Sequence, residues 1–179
     1  MSRISLPGPE ETPAASRPLL DGLARKLGSV PNLYRLLALS PAGLEGVLGL
    51  GGALSRTLDG PLRERIAIAV AQVNGCDYCL SAHAYLGAKL AGLAPEEIAA
   101  NRHGHSLDAR ADTAVSFAAR VAQHRGQVTN EEVAQVIAAG FTDTEVLEIV
   151  LQVALNGLTN LVNNVVRTPV DFPPLAAKA

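Results

Sequence analysis

Apolar stretches of helical length, separated by Gly, Pro and Asn punctuation, run along the whole chain. The first is Leu19 to Leu27, opening near Pro18 and stopping at Gly28. A short helix is predicted from Pro31 to about Leu39. Ser40-Pro41 supplies an N-cap and first-turn signal for a third, running to about Leu58, although Gly43, Gly46, Gly49, Gly51 and Gly52 weaken it. Pro61 to Val73 and Cys76 to Ala91 read as two helices on either side of an Asn74-Gly75 turn, a helical hairpin. Ala94-Pro95-Glu96-Glu97, with its acidic first turn, opens a helix to about Arg102. After a polar loop, Asp108 to His124 and Asn130 to Ala139 form another pair. The last and longest helix is predicted from Thr144 to about Val166, ended by Pro169. Leu155-Asn156-Gly157 faintly echoes Val73-Asn74-Gly75, as an internal duplication would. No Asn-Gly pair is flanked by alternating aromatic or β-branched residues, so strands are not expected and the fold class is all-α. The expected layout is a mobile arm over 1–17, one helical domain over 18–170, and a tail over 171–179.

Composition narrows the functional classes. A chain of 179 residues, 48% of them hydrophobic, suffices for one domain with a full core. The net charge of −2 comes without a Lys/Arg cluster and with 3% aromatic residues, so nucleic acid and a polybasic membrane contact are both poor fits. The apolar runs near Ile66 to Val73 and Val146 to Leu155 are short and interrupted by Gln and Glu, which argues against a membrane span. Residues 1–18 contain no apolar stretch of signal-peptide length, and a cytoplasmic location is expected.

The two cysteines, Cys76 and Cys79, stand three apart, with His83 four residues on and Glu64 twelve residues upstream. In a reducing compartment a close Cys-x-x-Cys is more often catalytic or metal-binding than a structural staple. At about 100° per residue, Cys76, Cys79 and His83 fall within an arc of roughly 60° on one helix. His83 is i+4 from Cys79, within reach of its thiol proton. Counted from the turn at about 1.5 Å per residue, Glu64 lies roughly 16 Å along one arm and His83 roughly 13 Å along the other, nearly level. Glu64 can therefore orient or charge the imidazole, giving a chain from acid to imidazole to thiol.

If Asn74 caps the second helix, the dipole favours Cys76 in the first turn, whereas the imidazole favours Cys79. The dipole is worth roughly 0.3–1 kcal/mol at exposed sites, whereas an imidazolium partner lowers a thiol pKa by several units. Attack is assigned to Cys79 and resolution to Cys76. The same two cysteines with His83 and Glu64 also offer four zinc-type ligands, but structural zinc usually collects more thiolates, so neither metal nor organic cofactor is expected.

The spacing Glu-x11-Cys-x-x-Cys-x3-His resembles that of the alkylhydroperoxidase D-like proteins, the dithiol branch of the carboxymuconolactone decarboxylase superfamily. Val30-Pro31-Asn32-Leu33, Leu62-Arg63-Glu64, Asn74-Gly75-Cys76-Asp77-Tyr78-Cys79, Leu158-Thr159-Asn160-Leu161-Val162-Asn163-Asn164 and Asp171-Phe172-Pro173 carry the likeness over roughly residues 20–173. The resemblance implies an all-helical homo-oligomer, a trimer or hexamer, and a thiol peroxidase re-reduced by an external dithiol such as a lipoyl group. It also implies the assignment of Cys79 as attacking residue. The peroxidase branch has a second histidine between its cysteines where this chain has Tyr78, so a two-histidine relay does not carry over.

The expected function is a peroxide-reducing antioxidant enzyme. The alternatives are a protein-disulfide or other thiol oxidoreductase without peroxidase activity, and a non-catalytic oligomeric redox sensor. Among the remaining polar residues, His103 and His105 are expected to be solvated, and His124 to be a helix C-terminal cation. Tyr78 lines a pocket mouth or packs on a neighbour. Asn156, Asn160, Asn163 and Asn164 form a stripe on an apolar helix, and buried amides require partners, so the stripe either bridges helices or wets a cavity.

Overall fold

The computed structural model describes residues 2–173, and the expected tail beyond 173 lies outside the described residues. After a single 3-10 turn at Ala14–Ser16 come α1 (Arg17–Leu27), α2 (Asn32–Leu37), α3 (Pro41–Leu54), α4 (Gly60–Val73) and α5 (Asp77–Leu90). They are followed by α6 (Pro95–Arg102), α7 (Ala109–Gln123), α8 (Asn130–Ala138) and α9 (Asp143–Val166). No strand occurs among the described residues.

Capping chemistry fixes most helix starts. Ser40, Asp59, Asp108, Thr129 and Thr142 each accept a backbone N–H of the first turn, and Thr129 and Thr142 complete capping boxes with Glu132 and Glu145. The third helix ends four residues short of the expected Leu58. Ser55 turns its hydroxyl back onto the Gly52 carbonyl (2.8 Å), and Asp59 then accepts the Leu62 N–H (2.7 Å) to start α4. The echo at Leu155-Asn156-Gly157 makes no turn, because all three residues lie inside α9.

The arrangement centres on α4, where Leu62 and the run Ile66 to Ala71 are buried, as expected of a stretch that is apolar on every side. Its Ile66 and Val70 pack with Phe117 and Ala118 of α7 and with Ile149 and Val153 of α9. Its Ile68 and Ala71 pack instead with Leu33, Leu44 and the start of α5. Each buried Ile, Leu, Val or Phe among these contributes about 1.5–3 kcal/mol on burial. The terminal segments close around this core. Arg3 donates its backbone N–H to the Val166 carbonyl (2.7 Å), Arg35 donates to the Pro7 carbonyl (3.2 Å), and the Ser16 hydroxyl donates to the Ala38 carbonyl (2.7 Å).

α6 is tied to α4 by a buried charge. Glu97 receives Arg65 Nε at 2.7 Å, together with the Ser106 hydroxyl, the Asn101 amide and the Leu107 N–H. Burial alone raises a carboxyl pKa, but these donors outweigh it and hold Glu97 near 2. A carboxyl depressed in the folded state stabilises fully above its ordinary range near 4.5 and loses that contribution as pH falls through about 2. Glu97→Ala leaves Arg65 without its partner and is expected to cost about 3–5 kcal/mol at neutral pH. Urea titration checks the value, and a change under about 1 kcal/mol would show that water replaces the carboxylate.

The apolar segment that reads as short is part of a 24-residue helix, α9, which is long and apolar enough to cross a bilayer by length and composition alone. Its inner face is buried, and that face carries Gln152, Asn156, Asn160 and Asn163.

Candidate active site

Cys76, Cys79, Glu64 and His83 are brought together by the return of the chain at Asn74-Gly75. Asn74 ends α4, Gly75 adopts φ +60°, and the Cys76 N–H donates to the Ala71 carbonyl at 2.9 Å. A side chain at position 75 would strain this left-handed conformation. α5 then packs along α4. Gly87, one turn past His83, makes room for Leu93 of the following loop, whose Cδ1 would lie 3.1 Å from a Cβ there, while Glu64 Cβ on α4 stands at an ordinary 3.8 Å.

The cap of α5 differs from the expected one. Asn74 belongs to α4, and Cys76 itself is the N-cap, its sulfur accepting the Cys79 N–H at 3.3 Å. Asp77 is therefore the first helical residue and Cys79 lies in the first turn. The dipole and the imidazole, which seemed to favour different cysteines, now act on the same one.

His83 Nδ1 and Glu64 Oε2 are 2.8 Å apart, with side-chain exposures of 24% and 23%. The carboxylate fixes the tautomer with the proton on Nδ1 and leaves Nε2 free to act. Burial pulls the His83 pKa down, but the charge and hydrogen bond of Glu64, then the charge on Cys79, leave it above its ordinary value.

Both thiols are free and buried. Cys79 is lowered to about 7, first by a hydrogen bond from the Cys76 thiol; burial opposes this, and the His83 charge and the Asn163 amide assist. Asn163 Nδ2 donates to Cys79 Sγ at 3.2 Å. Asn160 helps from farther off, and its buried Nδ2 has no hydrogen-bond partner. Cys76 moves the opposite way, pushed up by its donated hydrogen bond to Cys79, by burial and by the charge on Cys79. Above about pH 7 the pair thus holds one proton, on Cys76, with the negative charge on Cys79.

The asparagine stripe divides its work. Asn160 Oδ1 accepts from Asn74 Nδ2 (2.8 Å) and Asn164 Nδ2 donates to the Asn74 carbonyl (2.9 Å), so α9 clamps the turn that presents the dithiol. Asn156 bonds back to the Gln152 carbonyl within its own helix. Only Asn163 touches a sulfur.

A cavity of about 560 Å³ opens above Cys79 and His83. Cys76 is fully buried and does not line it. Tyr78 takes both expected roles: it lines the cavity, and it packs edge-on to Phe172 (5.7 Å, 85°) while its hydroxyl accepts the Leu33 N–H. Tyr34 also lines the cavity, and burial, followed by the charges of Glu64 and Cys79, keeps its phenol protonated. Sequence spacing gives no signal for Tyr34, because α2 is remote from the dithiol along the chain.

Among the described residues no three His, Cys, Asp or Glu side chains stand together as metal ligands. Cys76, Cys79, His83 and Glu64 are of ligating types, yet Glu64 and His83 bind each other and an amide donor occupies one side of the Cys79 sulfur. His105 meets Asp112 at 3.2 Å on the surface, and His103 and His124 end α6 and α7. None joins the thiol site.

Residues 41–124 match the carboxymuconolactone decarboxylase family. No curated protein sequence matches this chain significantly. The structure is similar to that of an alkylhydroperoxidase AhpD core, an uncharacterized peroxidase-related protein from Ralstonia eutropha JMP134, with a TM-score of 0.83 and 25% identity. That match covers 95% of this chain and 92% of the other. An uncharacterized peroxidase-related protein from Silicibacter sp. TM1040 follows, with a TM-score of 0.81, 24% identity and coverage of 98% and 92%. The debrominase Bmp8, in a cysteine-to-alanine variant bound to 2,3,4-tribromopyrrole, gives 0.79 at 17% identity, covering 96% of this chain and 94% of its own. The last two likenesses establish the shared fold, and the debrominase shows that this fold also serves a chemistry other than peroxide reduction.

Proposed function

We propose that this chain, whose residues 41–124 match the carboxymuconolactone decarboxylase family and whose structure resembles an alkylhydroperoxidase AhpD core, is an alkylhydroperoxidase D-like protein that reduces hydroperoxides through a Cys76–Cys79 dithiol cycle. The observation that carries the reading is Cys79 itself, a thiol lowered to about 7 at the wall of a cavity, with a protonated Cys76 behind it and the Glu64–His83 pair beside it. A thiol ionised near neutral pH combines a large thiolate fraction with good nucleophilicity.

The Cys79 thiolate attacks the terminal oxygen of the hydroperoxide and the O–O bond breaks. The leaving alkoxide takes the proton of the His83 imidazolium and departs as alcohol, and Cys79 is left as sulfenic acid. Cys76 sulfur then attacks Cys79 sulfur, its proton leaving with the sulfenic oxygen as water, and a disulfide forms. An external dithiol, of lipoyl or similar type, returns two electrons and two protons by thiol–disulfide exchange. Glu64 holds the imidazole protonated for the first step, and Asn163 steadies the thiolate. A reducing cytoplasm is the compartment in which this pair starts each cycle as thiols.

Stoichiometric organic hydroperoxide, followed by mass spectrometry of the digested protein, tests the reading. One intramolecular Cys76–Cys79 disulfide per peroxide, with alcohol as product, is expected. Thiols that survive peroxide but are oxidised by disulfides would assign the protein to the non-peroxidatic thiol oxidoreductases.

The proposed working form is a homo-oligomer, of the trimer or hexamer kind the family suggests. Leu147, Leu151, Ala154, Leu158, Leu161 and Val165 are exposed on α9 at the alternating four- and three-residue spacing of a helix-packing seam. The opposite face of the same helix carries Asn160, Asn163 and the turn clamp, so covering the outer face also holds the inner one. Light scattering should report an oligomer for the native chain and a smaller species for the Leu151→Glu, Leu158→Glu double variant. A native monomer at micromolar concentration would contradict the assembly.

A further inference from the structure

The cavity over Cys79 exceeds what a small peroxide requires, and its volume falls in the range that encloses organic ligands. Its walls are mainly apolar, with Leu33, Tyr34, Val47, Leu86, Leu155 and Phe172 among them. Lys26, in the last turn of α1, and Lys89, in the last turn of α5, line the same cavity and are solvent-exposed. Such lysines ordinarily complement a helix C-terminus. Here two of them, from different helices, converge on one apolar opening, and the ion pairs among the described residues give neither a carboxylate partner.

The acids nearby are already engaged. Asp171, which also lines the cavity, accepts the Asn32 N–H at 2.8 Å, and Glu64 is bound to His83. Asp171 keeps its charge in that bond, but the two lysines outnumber it, so the net charge of the exposed lining is positive, while the interior near the thiol is apolar with a few hydrogen-bonding groups. A ligand that suits both regions has an apolar body and an anionic end.

We propose that the cavity binds amphipathic organic carboxylates, and that the hydroperoxides it serves are carboxylate-bearing ones such as fatty-acid hydroperoxides, held with the acid at Lys26 and Lys89 and the peroxide group toward Cys79. The substrate half of this proposal rests on the peroxidase reading above. The binding half does not. Burial of the chain supplies most of the affinity, since exposed ion pairs add little. The lysines chiefly choose acid over neutral analogue and fix which end enters.

Two arms keep the failures apart. In the first, decanoate and methyl decanoate compete with iodoacetamide for Cys79 in the full-length protein, and alkylation is followed by mass spectrometry. Decanoate should protect Cys79 about three- to tenfold better than the ester, the reach of two exposed ion pairs, and the preference should vanish in the Lys26→Gln, Lys89→Gln double variant. Equal protection by acid and ester, no protection by either, or a preference that survives the double variant would overturn the proposal. In the second arm, a fatty-acid hydroperoxide and its methyl ester are compared as oxidants of Cys79. A preference for the acid that is lost in the double variant supports the substrate assignment, and equal rates with both refute it. Lysine-dependent protection by decanoate alongside no oxidation by any hydroperoxide would retain the carboxylate site and remove the peroxidase reading instead.

Discussion

Cys79→Ser is expected to reduce peroxide consumption to the protein-free rate, whereas Cys76→Ser completes one turnover and stops. The asymmetry follows from position and protonation. Cys79 lines the cavity and carries the thiolate, stabilised by Asn163 and by the proton on Cys76. Cys76 is fully buried, outside the cavity, and protonated near neutral pH, so it meets oxidant only after Cys79 has been oxidised. Without Cys76 the sulfenic acid on Cys79 has no thiol to condense with and can be trapped by a sulfenate-selective reagent. Intact-mass measurement after one equivalent of organic hydroperoxide checks both variants. Sulfenate found only on Cys76, in the Cys79→Ser protein, would reverse the two roles.

Removing the Glu64 charge should shift the reactivity of Cys79 to higher pH without unfolding the protein. Glu64 raises the His83 pKa, and the His83 charge in turn lowers that of Cys79. In Glu64→Gln the imidazole loses its proton at lower pH, the thiolate loses its cationic neighbour, and the Cys79 pKa rises by about one unit. Near pH 7, where the native thiol is about half ionised, the thiolate fraction then falls to roughly a tenth and recovers at alkaline pH. Alkylation rates at Cys79 against pH, with helicity compared by circular dichroism, measure the shift. Superimposable profiles in two equally folded proteins would return Glu64 to the role of an ordinary helix-surface acid.

The local rules of helix formation made most of the fold legible. The Ser40-Pro41 start, the Asn74-Gly75 break and the apolar runs between them are short-range signals, and the helices they mark lie within a few residues of where those signals put them. The approach of Glu64 to His83 was also readable, because two helices joined by a tight turn bring equal distances from that turn to the same level. Cap identity was not. Whether Asn74 or Cys76 starts α5 depends on which residue the C-terminal turn of α4 consumes, and α9 settles this by gripping Asn74 from both sides. The division of the asparagine stripe into clamp and thiol ligand was illegible for the same reason, since a helical period says which residues share a face but not what lies opposite. Tyr34 and Lys26 line the cavity although α1 and α2 are remote from α5 along the chain, a long-range arrangement with no trace in local pattern.

The central claim is that a Cys79 thiolate paired with an imidazolium reduces hydroperoxide. The pH dependence of kcat/KM for an organic hydroperoxide, with a saturating dithiol as reductant, tests it most directly, because that ratio reports the ionisation of the free enzyme. The account predicts turnover whose rate climbs through about pH 7 as Cys79 ionises and falls at higher pH as His83 loses its proton. No consumption above the protein-free rate, or a profile without the rising limb near pH 7, would contradict it.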